Sequence, residues 1–246
     1  MQPVDEPELT PELIRDRYQR LLTRLRAVAE AGGRDPFGFR VVAVTKGFGV
    51  PTVGAALAAG LSTFGENRVQ EAAAKVEAAQ EADWHLIGHL QSNKARPAVR
   101  LFGTIHSVDS LELLDRIERI AHDDGRRPQV LLQVNAGGEA DRAGFALDWF
   151  AAQVDAPDGP LVRALAGLRH ANPIGLMVMA SLDAAPAAEQ FATLRQLSAR
   201  LREASGLQLP ELSMGMTADA EEAVRQGATL LRIGTAIFGP RPEHHR

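Results

Sequence analysis

The chain has 246 residues, 45% of them hydrophobic and 24% charged, with a formal net charge of −4 and no cysteine. This composition provides a sizeable core and excludes disulfides, thiolate metal sites and thiol nucleophiles. It offers no broad basic field for a nucleic-acid backbone or an anionic membrane surface.

The N-terminal MQPVDEPELT lacks the basic-then-apolar order of a secretory signal. No apolar run approaches the roughly 20 residues of a membrane span, so the expectation is a soluble cytoplasmic protein. Residues 1–9 are polar and proline-rich and read as a flexible N-terminus. Thr10 and Pro11 then read as an N-cap and first helical position. Leu13, Ile14, Leu21, Leu25 and Val28 continue at helical spacing until Gly32 and Gly33 stop the helix.

After that helix, short apolar runs alternate with helical segments. The pattern predicts strands over 39–45, 62–64, 84–87, 104–108, 129–134, 174–178, 211–213 and 229–233. The intervening segments predict helices over 52–59, 67–81, 92–99, 111–122, 147–154 with 161–169, 185–205 and 218–226. The turn cluster DAPDGP, residues 155–160, predicts an irregular insertion in the longest interval. Eight strands with helices between them, in this length, predict a single (β/α)8 TIM barrel over residues 10–239, preceded by an extra helix. A doubly wound open sheet uses the same alternation and is the alternative. The tail PRPEHHR, residues 240–246, reads as flexible.

In a barrel, chemistry sits at the C-terminal ends of the strands and in the loops that follow. Those ends carry Lys46, then Glu66 and Asn67, then His85, His89, Gln91, Asn93 and Lys94, then His106 and Ser107. Later ends carry Asn135, Met177 and Met179, the run from Ser213 to Thr217, and Arg232 to Thr235. Strand ends are also simply where chains turn polar, but all eight ends together argue for a site.

Arginine supplies 24 of the 27 cationic side chains; the three lysines are Lys46, Lys75 and Lys94. Lys75 lies in the helical segment EAAAKVEAAQ and reads as a solvated surface charge. Lys46 stands at a strand mouth, where composition would favour arginine unless an amine is needed. An amine can lose its proton and form a Schiff base, which a guanidinium cannot. Partial burial would lower its pKa from roughly 10.4 and make it a usable nucleophile. The bland reading, of equal weight on spacing alone, is a lysine paired with Glu66. At the other end of the chain, Ser213, Gly234 and Thr235 match the phosphate cradle that often follows the last two strands of a barrel. Arg232, flanked by apolar residues, points into the barrel or pairs with a helix acid. An aldehyde-bearing phosphate such as pyridoxal 5′-phosphate would unite both features.

Seven segments, VAVTK, FGENRVQE, WHLIGHLQSNK, IHSVDS, GLMVMA, LSMGMTADAEEAV and RIGTAIFG, resemble in order the motifs of the pyridoxal phosphate homeostasis proteins. The resemblance runs from the first helix to Gly239. It implies an alanine racemase N-terminal-like barrel, the fold type III pyridoxal phosphate-binding fold, with Lys46 forming the internal aldimine. It also implies that Ser213, Gly234 and Thr235 hold the phosphate, that Arg232 lies near the cofactor and that Asn67 is a neighbour. His85, Lys94 and Met214 match family positions without an implied contact. Gly47-Phe48, Arg142 and the DAPDGP insertion depart from the family pattern.

A racemase of this fold needs a second acid–base group facing the lysine, normally a tyrosine from a separate C-terminal domain, and no such domain follows the last strand. The one tyrosine, Tyr18, lies in the first helix and reads as a packing or surface residue. His106 or His85 would be the substitutes, but an uncovered barrel leaves the cofactor wet. The expectation is a binder that stores, buffers and delivers pyridoxal phosphate to apoenzymes as a monomer. The alternatives are a racemase-like enzyme, a Schiff-base aldolase on the same barrel, and a metal-dependent hydrolase using His85, His89 and His106.

Overall fold

The computed structural model describes residues 9–139, 142–156, 158–181 and 183–241. The first helix, α1 (Pro11–Ala31), starts as the sequence predicts: the Thr10 side chain accepts from the Leu13 N–H, and Pro11 follows at a position with no intrahelical acceptor to lose. The chain then alternates through β1 (Arg40–Val44), α2 (Val50–Ala58), β2 (Thr63–Glu66), α3 (Val69–Ala78) and β3 (Asp83–Leu86). A 3-10 turn at Ser92–Lys94 leads into α4 (Ala95–Leu101), followed by β4 (Thr104–Val108), α5 (Leu111–Asp123) and β5 (Gln129–Asn135). The second half comprises β6 (Phe145–Ala146), α6 (Leu147–Val154), α7 (Pro160–Gly167), β7 (Asn172–Val178) and α8 (Ala184–Ser205). It ends with β8 (Glu211–Ser213), α9 (Ala220–Gln226), β9 (Leu230–Ile233) and α10 (Thr235–Phe238).

The strands run in the order β1-β2-β3-β4-β5-β7-β8-β9, all parallel, and β9 pairs back onto β1. This is a closed eight-stranded barrel with helices outside, and it settles the choice against an open sheet. The two-residue β6, which hydrophobic periodicity cannot register, pairs with the end of β5 outside that ring. The residue before it, Gly144, has φ +135°, and a Cβ there would lie 2.7 Å from the Asn135 nitrogen. The DAPDGP segment is the joint between α6, capped at Asp155, and α7, which begins at Pro160; Pro157 lies outside the described residues. Residues 1–8 and 242–246, most of the two segments expected to be flexible, also lie outside them.

Strand periodicity divides the apolar residues into two cores. The larger lies between strands and helices and includes Val41, Ala43, Phe64, Trp84 and Leu86. The smaller fills the barrel and comprises Val42, Val44, Ile87, Leu131, Ile174, Met177 and Leu230. Gly65 leaves room for it: a Cβ there would sit 2.9 Å from Val42 Cγ1. Helix α1 packs on α2, α9 and α10. Its Arg24 pairs with Glu221 at 3.1 Å and its Arg17 donates to the Ile237 carbonyl at 3.4 Å. Among the described residues no helix is long and apolar enough to cross a membrane.

Candidate cofactor site

Val42 and Val44 belong to the inner core, so the alternation of β1 carries Lys46, two residues on, to the C-terminal mouth of the barrel. Lys46 is half-buried, and its basicity is lowered first by burial and then by the charges of Arg241 and Arg232, with Glu66 acting the opposite way. The next residue, Gly47, adopts φ +79°, and the Arg241 side chain lies against it. Phe48 turns back into the core against Phe238 of α10, with ring centroids 5.5 Å apart. The departure Gly47-Phe48 is therefore the turn that docks the β1 loop on α10.

Glu66 is not the partner of Lys46. Its carboxylate faces outward and pairs with Lys75, whose Nζ donates to Glu66 Oε1 at 2.5 Å and to the Thr45 carbonyl at 2.8 Å. Thr45 Oγ1 donates to the same carboxylate oxygen at 2.6 Å. Lys75 is 5% exposed and Glu66 0%. The expectation of a solvated Lys75 is thus corrected: α3 turns that side chain inward, onto the back of the strand that carries Lys46. Its rarity among the cations was the signal, since a compact ammonium suits such a cramped pair better than a forked guanidinium does.

Arg232 on β9 lies beside Val42 on β1, and it points into the barrel. It is buried; one guanidinium nitrogen donates to Ser213 Oγ at 2.6 Å and the other to the Val178 carbonyl at 2.8 Å. Burial pulls its pKa down to about 10, against the opposing pull of Asp219, so it remains a cation at neutral pH. The Ser213 hydroxyl is also within 2.8 Å of His106 Nδ1, His106 Nε2 is 2.8 Å from His85 Nδ1, and His85 Nε2 is 2.8 Å from Asp83 Oδ2. Ser213, expected at the phosphate, therefore has its hydroxyl directed inward to Arg232 and His106. Asp83 and the His85–His106 contact were not anticipated. The alternation Asp83-x-His85-x-Ile87, ending on an inner-core residue, placed both polar side chains inside the barrel.

Gly234 and Thr235 form the turn from β9 into α10, next to β1: a Cβ on Gly234 would lie 3.3 Å from the Val44 carbonyl oxygen. Thr235 is exposed. Asn67, on the other side of β1, is half-buried and lines a rim cleft of about 400 Å³ with Gly88, His89 and Lys94. The structure thus gathers Lys46, Arg232, Gly234 and Thr235 around the adjoining ends of β1 and β9, with Asn67 after β2. His89 turns to Asp109 at 3.0 Å, away from His85. Tyr18 lines a cleft with Phe39, Arg40 and Thr63 at the opposite mouth. A cleft of about 570 Å³ near α5 has a basic lining, but Arg96, Arg119 and His170 there are held by Asp123 and Asp124, Asp115 and Glu118 respectively.

The profile of the alanine racemase N-terminal domain family matches residues 17–242. A Pseudomonas aeruginosa pyridoxal phosphate homeostasis protein is 41% identical over 93% of this chain and 96% of its own. The chain belongs to the pyridoxal phosphate homeostasis protein family. A Synechocystis member is 39% identical over 84% of this chain and 93% of its own length. PipY of Synechococcus elongatus, solved with pyridoxal phosphate bound, is 39% identical over 92% of this chain with a TM-score of 0.79. An alanine racemase from Clostridium difficile shares the fold at a TM-score of 0.67 and 15% identity, over 56% of its own length. Family membership joins the (β/α)8 barrel found here to the alanine racemase-like architecture that the motifs implied.

Proposed function

We propose that this protein binds pyridoxal 5′-phosphate reversibly through Lys46 and serves as a carrier that stores, buffers and delivers it. The cofactor supplies an aldehyde, which condenses with a primary amine with loss of water. The observation that carries the reading is the half-buried Lys46 amine, made less basic by burial and by Arg232, on the strand next to the β9–α10 turn. A larger neutral fraction at neutral pH makes it the nucleophile among three lysines, one of which is locked to Glu66. Arg232 presents a fixed cation below it, Gly234 and Thr235 offer small residues and N–H groups suited to a phosphate, and Asn67 borders the site. Ser213 contributes from beneath, through Arg232. The bound PipY structure supports the same ligand for this relative.

A carrier rather than a committed enzyme agrees with the surroundings of Lys46. The charged groups felt there are two arginines and Glu66, and Tyr18 sits at the far mouth. Delivery goes to the lysine of an apoenzyme in the cytoplasm. The same reading takes the protein as a monomer; among the described residues the exposed large apolar side chains are Phe37, Val50 and Met179.

The experiment is an absorption spectrum of the protein with added pyridoxal phosphate, before and after borohydride, followed by peptide mass mapping. The expected result is a yellow protein whose reduced label maps to Lys46 and is lost in Lys46→Ala. Mixing loaded protein with an apoenzyme should restore that enzyme's activity. A label that maps elsewhere with Lys46 intact would overturn the proposal.

A further inference from the structure

With both imidazoles neutral and the serine proton satisfied, the hydrogen-bond chain below Lys46 runs in one direction. Arg232 has donors and no acceptor, so Ser213 Oγ receives its hydrogen bond. The serine proton then has one acceptor within reach, His106 Nδ1. A histidine that accepts at Nδ1 is neutral and carries its proton on Nε2, which faces His85 Nδ1. His85 must then accept there and donate from Nε2 to the Asp83 carboxylate. The charges of Arg232 and Asp83 are thus the two ends of one extended ion pair, joined by three neutral side chains that are each at most 1% exposed.

We propose that Asp83, His85, His106 and Ser213 form a proton-ordered relay of positioning residues that holds the Arg232 guanidinium in place from the opposite mouth of the barrel. This rests on the reading that Arg232 underlies the cofactor. Asp83 is the first residue of β3, at the N-terminal mouth, and its side chain is 45% exposed. It is therefore the point where solvent meets the chain. The groups facing the relay are Arg40 from β1, whose charge reaches both Asp83 and His106, and Arg232 from β9; Arg40 is itself paired with Glu211 of β8 at 2.7 Å. The environment agrees with the order: burial keeps His106 well below the usual histidine range, and the His85 hydrogen bond keeps Asp83 ionised. A further proton on His85 would set its Nδ1–H against the His106 Nε2–H, and one on His106 would reverse the link to Ser213 and leave the serine proton without its acceptor. The N-terminal mouth, a stability face in most barrels, here controls the charge beneath the site.

Nitrogen-15 NMR of the imidazoles in the unloaded full chain tests the order directly. Both His85 and His106 should be neutral and protonated on Nε2 at neutral pH; an imidazolium or an Nδ1–H form at either would overturn the relay. In the loaded protein, Asp83→Asn retains a hydrogen-bond acceptor and removes only the charge. It should weaken pyridoxal phosphate binding roughly five-fold and lower the midpoint of the adduct's pH titration, because the Arg232 cation loses its counter-charge. Asp83→Glu should restore both. An Asp83→Asn protein identical to its parent in both readings, with the label still on Lys46, would overturn the relay and spare the proposed function. Absence of any Lys46 adduct would sink the function, and the NMR result would still decide the relay.

Discussion

Two polar assemblies lie on opposite sides of the barrel wall, one between β1, β2 and α3 and the other spanning β3, β4, β8 and β9, and they differ in where their charges end. The outward one, Thr45, Glu66 and Lys75, is closed: both charges sit in one buried pair on the helix side of the barrel wall. The inward one spreads its charges across the barrel from Arg232 to Asp83, with a half-exposed carboxylate at one end and the half-buried Lys46 above the other. The closed pair holds strands and helix together and touches the site only through the field of Glu66 at Lys46, whereas an open chain can respond to what reaches its ends. One residue of strand alternation separates the two roles, Thr45 facing α3 and Lys46 facing the mouth.

Breaking the closed assembly should have the largest effect. Lys75→Ala leaves a buried, unpaired carboxylate and should cost about 3–5 kcal/mol in denaturant unfolding; a loss below about 1 kcal/mol would mean that Glu66 reaches water. Next comes the interior that the open chain shares with the inner core. Gly65→Ala would place a Cβ 2.9 Å from Val42 Cγ1 and should cost about 1–3 kcal/mol in a thermal or denaturant melt.

Acid should weaken the open assembly. The folded pKa of His106 lies below its unfolded value, so its neutral form favours folding. That contribution is complete above the unfolded pKa of about 6.5 and is lost as pH falls below it. Urea midpoints should therefore decline from about pH 6.5 downward, and His106→Gln should flatten the decline. The smallest effect sharpens the comparison: with Lys75→Met and Glu66→Leu combined, no lone charge is left behind. That double variant should stay within about 1 kcal/mol of the parent, or exceed it, by denaturant unfolding, and should still load at Lys46.

Much of the fold was legible because each barrel strand is a short apolar run between helices of ordinary length; eight such units pointed to a barrel, and the β9–β1 pairing decides it against an open sheet. β6 escaped because two residues carry no period. At the site, Lys46 and Arg232 were visible through composition and flanking residues. Lys75 was misread because one helical turn rich in alanine does not reveal which side faces a strand; the rarity of lysine hinted at a special role, and Glu66 across the wall shows which. The direction of the Ser213 hydroxyl was equally hidden, since it depends on His106, 107 positions earlier in the chain. Asp83 and His85 occupy alternate positions on β3, while His106, Ser213 and Arg232 come from three other strands, and barrel closure is what brings these into contact.

The first and last barrel strands meet at a seam, and Lys46 stands on one side of it while Arg232, Gly234 and Thr235 stand on the other. During synthesis, Lys46 emerges early and waits for nearly the whole polypeptide before its β9 neighbours exist, a pairing of very high contact order. Once made, a ligand tethered at Lys46 on one flank and held by the β9–α10 turn on the other, as proposed above, would act as a clasp across the join, so occupancy should stabilise the closed barrel by mass action.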